Sequence, residues 1–200
     1  MSGVLVRRYA PPAVDEREIL RYAGVRGEAP ELLPILRDCL SSMWDRLTYR
    51  VAFCEVPVSE LPVKESRSLD HRLAGCERAV IFGATVGLEP DRRLLRWGSR
   101  EPTHALLCQA IGAERVEALC EGFCQELAEE YGERGMTLRP RFSPGYGDCP
   151  LSVQRDIVAR LDTPRRIGLT LNESLLLSPT KSVTAIVGLE LNCKNELNVN

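Results

Sequence analysis

The chain has 200 residues, 44% of them hydrophobic and 27% charged, with a formal net charge of −2 at pH 7. That length suits one domain with a substantial core, and near-neutral charge without a long basic block argues against nucleic acid or an anionic membrane as a partner. No apolar run approaches the roughly 20 residues of a membrane span and the first residues lack a signal-peptide pattern, so the expected location is the cytoplasm.

Tyr9-Ala10-Pro11-Pro12 reads as extended, after which Asp15 caps a short helix through Ile19 and Tyr22 that stops at Gly24. A second helix is expected from about Pro30, because Leu32, Leu33, Leu36, Cys39, Leu40, Met43 and Leu47 recur at three- and four-residue intervals. From Thr48 to Val56 the period falls to two, with Tyr49, Val51 and Phe53 on one face of a strand. Pro57 and Pro62 then end the strand in a linker, Val58 to Ser66. The expected organisation is therefore an N-terminal segment, 1–62, packed on a core of residues 63–200.

The run from Ala79 to Gly87 is almost continuously apolar, as a buried central strand would be. Its glycines match neither the dinucleotide nor the P-loop pattern, so close packing is the expected use. Asp91 to Trp97 gives a short helix and Pro102 opens another, which Gly112 is expected to interrupt or kink. Val116, Leu119, Cys120, Phe123, Leu127 and Tyr131 then form one apolar stripe, ended by Gly132 and Gly135. Glu121 lies off that stripe beside the small residues Ala118 and Gly122.

Met136 to Arg141 reads as a strand, and Ser152 as the cap of a helix to Leu161. Ile167 to Leu171 is a further strand candidate, and Ser174 to Ser178 with Ser182 to Leu189 reads as a hairpin around Pro179-Thr180-Lys181. The residues from Asn192 onward are expected to fray. Strands separated by helices and ending in a hairpin indicate an α+β domain with a mixed or antiparallel sheet. The eight cysteines, Cys39, Cys54, Cys76, Cys108, Cys120, Cys124, Cys149 and Cys193, are scattered without a Cys-X-X-Cys. With only His71 and His104 beside them, they read as reduced core residues rather than zinc ligands.

The stretch with the clearest chemistry is Arg141-Phe142-Ser143-Pro144-Gly145-Tyr146-Gly147-Asp148-Cys149-Pro150. It sets a permanent cation near a helix start, and both attract a carboxylate or phosphate. Gly145 lets backbone approach a ligand, and Tyr146 offers a flat face with a hydroxyl at its edge.

Arg-X-X-Pro-Gly-Tyr-X-X-Cys-Pro resembles the signature of the activation domain of cobalamin-dependent methionine synthase. The similarity continues through Leu169-Thr170-Leu171-Asn172-Glu173-Ser174 to Pro179, Ser182 and Val183. Leu119-Cys120-Glu121-Gly122-Phe123 is similar to the family's helix whose glutamate reaches bound S-adenosylmethionine. The resemblance implies a curved, mainly antiparallel sheet flanked by helices. It implies that Arg141 holds the methionyl carboxylate, Ser143 and Gly145 offer backbone contacts, Tyr146 lines the site and Glu121 takes an amine or hydroxyl.

The function so implied is a stand-alone reactivation subunit that binds S-adenosylmethionine for reductive methylation of cob(II)alamin. Asp70-His71 and Gly75 lack the Asp-X-His-X-X-Gly spacing of cobalamin-binding domains, so cobalamin is expected on a partner methionine synthase or other corrinoid protein. A flavodoxin-like electron donor is implied as well. Two features depart from the family: Tyr146 is the last tyrosine, and an N-terminal Asp-Trp segment is absent. They keep open a non-catalytic adaptor docking on a corrinoid protein, and a reactivator of another corrinoid methyltransferase.

Overall fold

The structure is a computed structural model that describes residues 3–192. In chain order its elements are β1 (Leu5–Tyr9), α1 (Glu16–Tyr22), α2 (Leu33–Met43), β2 (Tyr49–Pro57), α3 (Arg67–Leu73), β3 (Arg78–Thr85), α4 (Glu89–Trp97) and α5 (Pro102–Gly132). There follow β4 (Met136–Leu138), α6 (Val153–Leu161), α7 (Thr163–Ile167), β5 (Thr170–Leu171), β6 (Leu177–Ser178) and β7 (Ser182–Leu191).

Period-two alternation builds a curled five-stranded sheet in the order β1-β2-β3-β7-β4, antiparallel throughout, so the α+β expectation holds. Tyr49, Val51 and Phe53 share one buried cluster with Phe82, Val187 and the stripe of α5. Phe123 packs edge-on between Phe53 and Phe82, with ring centroids 5.0 and 4.9 Å away. The alternate residues Ala52, Cys54, Val56, Ile81 and Ile186 face a second cluster made by α3, α6 and the residues around Ile167. As anticipated, β3 is the central strand, every residue from Ala79 to Thr85 being buried.

The local signals at the N-terminus act as read. Asp15 accepts hydrogen bonds from the Arg17 and Glu18 amides and starts α1. β2 pairs with β1 on one side and β3 on the other, so one sheet carries strands from both sides of the 58–66 linker. Among the described residues no helix is long and apolar enough to cross a membrane.

Several local expectations differ from the structure. α5 runs unbroken through Gly112, whose missing side chain admits its neighbours: an added Cβ would stand 2.9 Å from Pro90 Cβ and 2.7 Å from Lys181 Cγ. Ser152 occupies the cap position of α6 without a capping bond, because the chain is already turning, with Val153 N donating to Pro150 O and Gln154 N to Leu151 O. Ile167 ends a short helix rather than starting a strand, since Pro164 suits a first helical turn and Gly168 takes φ 73° to stop it.

The terminal hairpin also pairs differently. β6 folds back on β5, closed by Asn172 Oδ1 accepting from the Leu176 amide at 2.9 Å. β7 instead enters the main sheet between β3 and β4. The expected strand from Met136 to Arg141 is regular only to Leu138 and touches β7 again at Phe142. Cys193 and the frayed segment expected there lie outside the described residues, whereas Asn192 still donates its amide to Gly135 O at 2.9 Å.

Candidate functional site

Phe142 holds the start of the Pro-Gly-Tyr turn to β7, exchanging two backbone hydrogen bonds of 2.8 Å with Ile186. The turn then closes on itself, with Gly145 N donating to Cys149 O at 3.1 Å and Cys149 N to Tyr146 O at 3.1 Å. Gly145 adopts φ 90°, and a Cβ there would press Leu151 Cδ1 at 2.9 Å. Its glycine is thus required by the turn itself.

Asp148 pins the far side of the turn. Its carboxylate accepts from Ser66 Oγ at 2.7 Å and from the Arg67 and Ser68 amides at 2.9 and 3.0 Å, at the N-terminus of α3. The Ser66 hydroxyl first, then the Ser68 amide, hold this carboxyl well below the usual carboxylate range.

Between the turn, α5 and β7 lies a cavity of about 590 Å³. Arg141, Ser143 and Tyr146 line it together with Glu117 of α5, Arg72 of α3, Tyr22 of α1, Gln154 of α6 and Ser182, Val183 and Thr184 of β7. Arg141 Nη2 donates to Glu117 Oε2, and the two side chains are 28% and 33% exposed. Burial disfavours the charge of Arg141, but the bond to Glu117 outweighs it, so its pKa stands above the ordinary arginine value. Burial pushes the Cys120 and Cys124 thiols up, which keeps them neutral beside it.

The remaining polar walls divide into fixed and free groups. Gln154 is locked, its amide oxygen accepting from Thr184 Oγ1 at 2.9 Å and its amide nitrogen donating to Leu175 O at 3.0 Å. Arg72, among the described residues, has no carboxylate within ion-pair distance. The arrangement supplies two guanidinium groups, one carboxylate and two tyrosines to a single cavity. Those groups can bind a ligand bearing both a carboxylate and an aromatic ring.

Of the residues singled out from the sequence, Arg141, Ser143 and Tyr146 meet in this cavity, and Gly145 shapes the turn that carries them. Glu121 is exposed and lines a smaller adjoining cavity of about 260 Å³, where Arg141 is the shared wall. The carboxylate on Arg141 is instead Glu117, one helical turn earlier on α5. Its four-residue spacing from Glu121 was the sequence signal available for it. Tyr22, Arg72 and Gln154 carry no such signal, because they come from three separate elements. A second tyrosine, Tyr22, lines the cavity from the opposite end of the chain.

No protein-family model matches the chain. Over a 95-residue alignment it is 35% identical to methionine synthase of Mycobacterium tuberculosis, a match covering 38% of this chain and 8% of that protein. The MetH reactivation domain, solved bound to AdoHcy, superposes with a TM-score of 0.66 at 15% identity, over 94% of this chain and 78% of that one. The fold is that of the methionine synthase reactivation domain. The motif likeness between Arg141 and Val183 thus extends to the architecture of almost the whole chain. In this reactivation-domain fold the cavity lies against the end of β7 formed by Ser182 to Thr184, where β7, α5 and the turn converge.

Proposed function

We propose that this chain binds S-adenosylmethionine in the cavity beside Arg141 and serves as a separate reactivation subunit for a cobalamin-dependent methionine synthase, in the cytoplasm. The observation that carries this reading is the half-buried Arg141 guanidinium lining a cavity of about 590 Å³ with Ser143 and Tyr146. That volume falls within the roughly 300–1,000 Å³ of small-molecule sites. The AdoHcy held by the structural neighbour is a ligand of the same kind, an adenosine joined to an amino acid.

In this reading Arg141 receives the methionyl carboxylate, for which its planar fork is suited. The backbone of Ser143 and Gly145 borders the same head group, and Tyr146 and Tyr22 offer aromatic faces to the nucleoside. Glu121, across Arg141 in the adjoining cavity, takes an amine or hydroxyl of a ligand that reaches past the guanidinium. S-adenosylmethionine supplies the methyl group, and a corrinoid on the partner, reduced by a flavodoxin-like donor, receives it. The chain's own part is to hold the sulfonium methyl in line, which is catalysis by positioning and requires no acid or base.

The test is calorimetric titration of the purified protein with S-adenosylmethionine, wild type against Arg141→Met. Loss of one or two charge-assisted hydrogen bonds should weaken binding by about ten- to a hundredfold. Methyl transfer to a reduced corrinoid protein would then be assayed with both proteins. Absence of binding by the wild type at millimolar ligand would overturn the reading and leave an adaptor that docks on a corrinoid protein. Glu117 already occupying Arg141 is the observation on the adaptor's side.

A further inference from the structure

Resting on the reading of this cavity as the site of an amino-acid-bearing nucleoside, we infer that Glu117 receives the ligand's α-ammonium group. Arg141 and Glu117 then act together as a receptor for a zwitterion and discriminate against a ligand that carries the carboxylate alone. The sequence resemblance assigns Glu117 no part, and the carboxylate it does assign, Glu121, lines the neighbouring cavity.

Arg141 and Glu117 are 24 residues apart in the chain, are hydrogen-bonded to each other, and both line the larger cavity with about a third of each side chain exposed. Adjacent guanidinium and carboxylate groups present one positive and one negative site side by side. The carboxylate and ammonium of an α-amino acid are likewise adjacent, on one carbon, with opposite polarity. The bond to Glu117 engages Nη2 of Arg141, whereas the guanidinium carries five N–H donors in all, so a second carboxylate can bind it without expelling the first.

Charge balance then decides between ligands. A carboxylate without an ammonium places two anions on one half-buried guanidinium and leaves Glu117 undercompensated. A zwitterion brings its own cation to Glu117, so Arg141, Glu117 and both charges of the ligand's head each keep an opposite partner. Charges removed from water are tolerated only when paired, which is the physical source of the discrimination.

The experiment compares AdoHcy with its analogue lacking the α-amino group, each titrated into wild type and Glu117→Gln. AdoHcy carries no sulfonium, so the amino-acid head holds its only charges. In the wild type the analogue should bind about tenfold more weakly, one charge-assisted hydrogen bond being lost. In Glu117→Gln, AdoHcy should weaken by about the same factor while the analogue tightens, because Arg141 is released, and the ratio collapses towards one. Equal binding of both ligands to the wild type overturns the inference, and so does a Glu117→Gln variant that weakens both equally, since Glu117 would then only orient Arg141. The wild-type ratio needs no variant, so a folding defect in Glu117→Gln does not rescue the idea. If the wild type binds neither ligand, it is the underlying reading of the cavity that has failed, an outcome distinct from AdoHcy binding without discrimination.

Discussion

Glu114 and Glu117, one turn apart on α5, each pair with an arginine, and the surroundings of these two pairs differ completely. Arg115 is paired with Glu114 at 0% and 6% side-chain exposure, and its guanidinium also donates to Pro12 O and Ala13 O at 2.7 Å. Glu114 in turn accepts from the Asp15 amide at 3.2 Å. This pair fastens the extended segment before α1 to the middle of α5, and every charged atom is spent on that task. Glu117 and Arg141 are the same chemistry left open: the guanidinium comes from a distant turn, and both groups border a cavity. A sealed ion pair is architecture, whereas a half-exposed one retains donors and acceptors for a ligand.

The largest effect expected from this contrast is on stability. Arg115→Met leaves a buried Glu114 carboxylate and two carbonyls without their partner, and should cost about 3–5 kcal/mol in chemical denaturation. A loss under about 1 kcal/mol would mean that the pair is not sealed. The matched change Arg141→Met should cost only about 1 kcal/mol or less, because the pair is part-exposed, while abolishing most ligand affinity. Reversed ranks, with Arg141→Met the less stable protein, would undo the distinction between the two pairs.

The smallest effect concerns the turn that delivers Arg141. Asp148 has a folded pKa below its ordinary value, so its contribution to stability is present above the unfolded pKa and is lost as pH falls through that value towards the folded one. Asp148→Asn should melt a few degrees below the wild type at neutral pH, and the gap should narrow on acidification below about pH 4. A gap that stays constant through that range would show that the Asp148 charge does not hold the turn to α3.

Legibility from the sequence followed the range of the interactions. Asp15 as a cap, Gly24 and Gly132 as stops, the alternation of Tyr49, Val51 and Phe53 and the stripe from Val116 to Tyr131 all act between neighbours in the chain, and the structure contains them as read. Gly112 misled because its local signal, a weak helix former, was outweighed by its packing on Pro90 and Lys181. The last hairpin misled for a similar reason. Leu177 and β7 are close in sequence, yet β7 finds β3 and β4, whose partners lie far back in the chain.

The site divides in the same way. The turn from Arg141 to Cys149 was visible because proline, glycine and aspartate write their backbone geometry into a few adjacent residues. The identity of the cation, the aromatic face of Tyr146 and the likeness to a known activation domain were therefore available from the sequence alone. Tertiary structure alone decided which groups share the cavity: Tyr22 from the N-terminal helix, Arg72 beyond β2, Gln154 from α6, and Glu117 rather than Glu121 on Arg141. Both glutamates share a helix off its main stripe, and nothing in their spacing says which meets an arginine twenty or more residues away. That choice is made by how β4 and β7 set the turn against α5, a long-range packing outcome that no local pattern encodes.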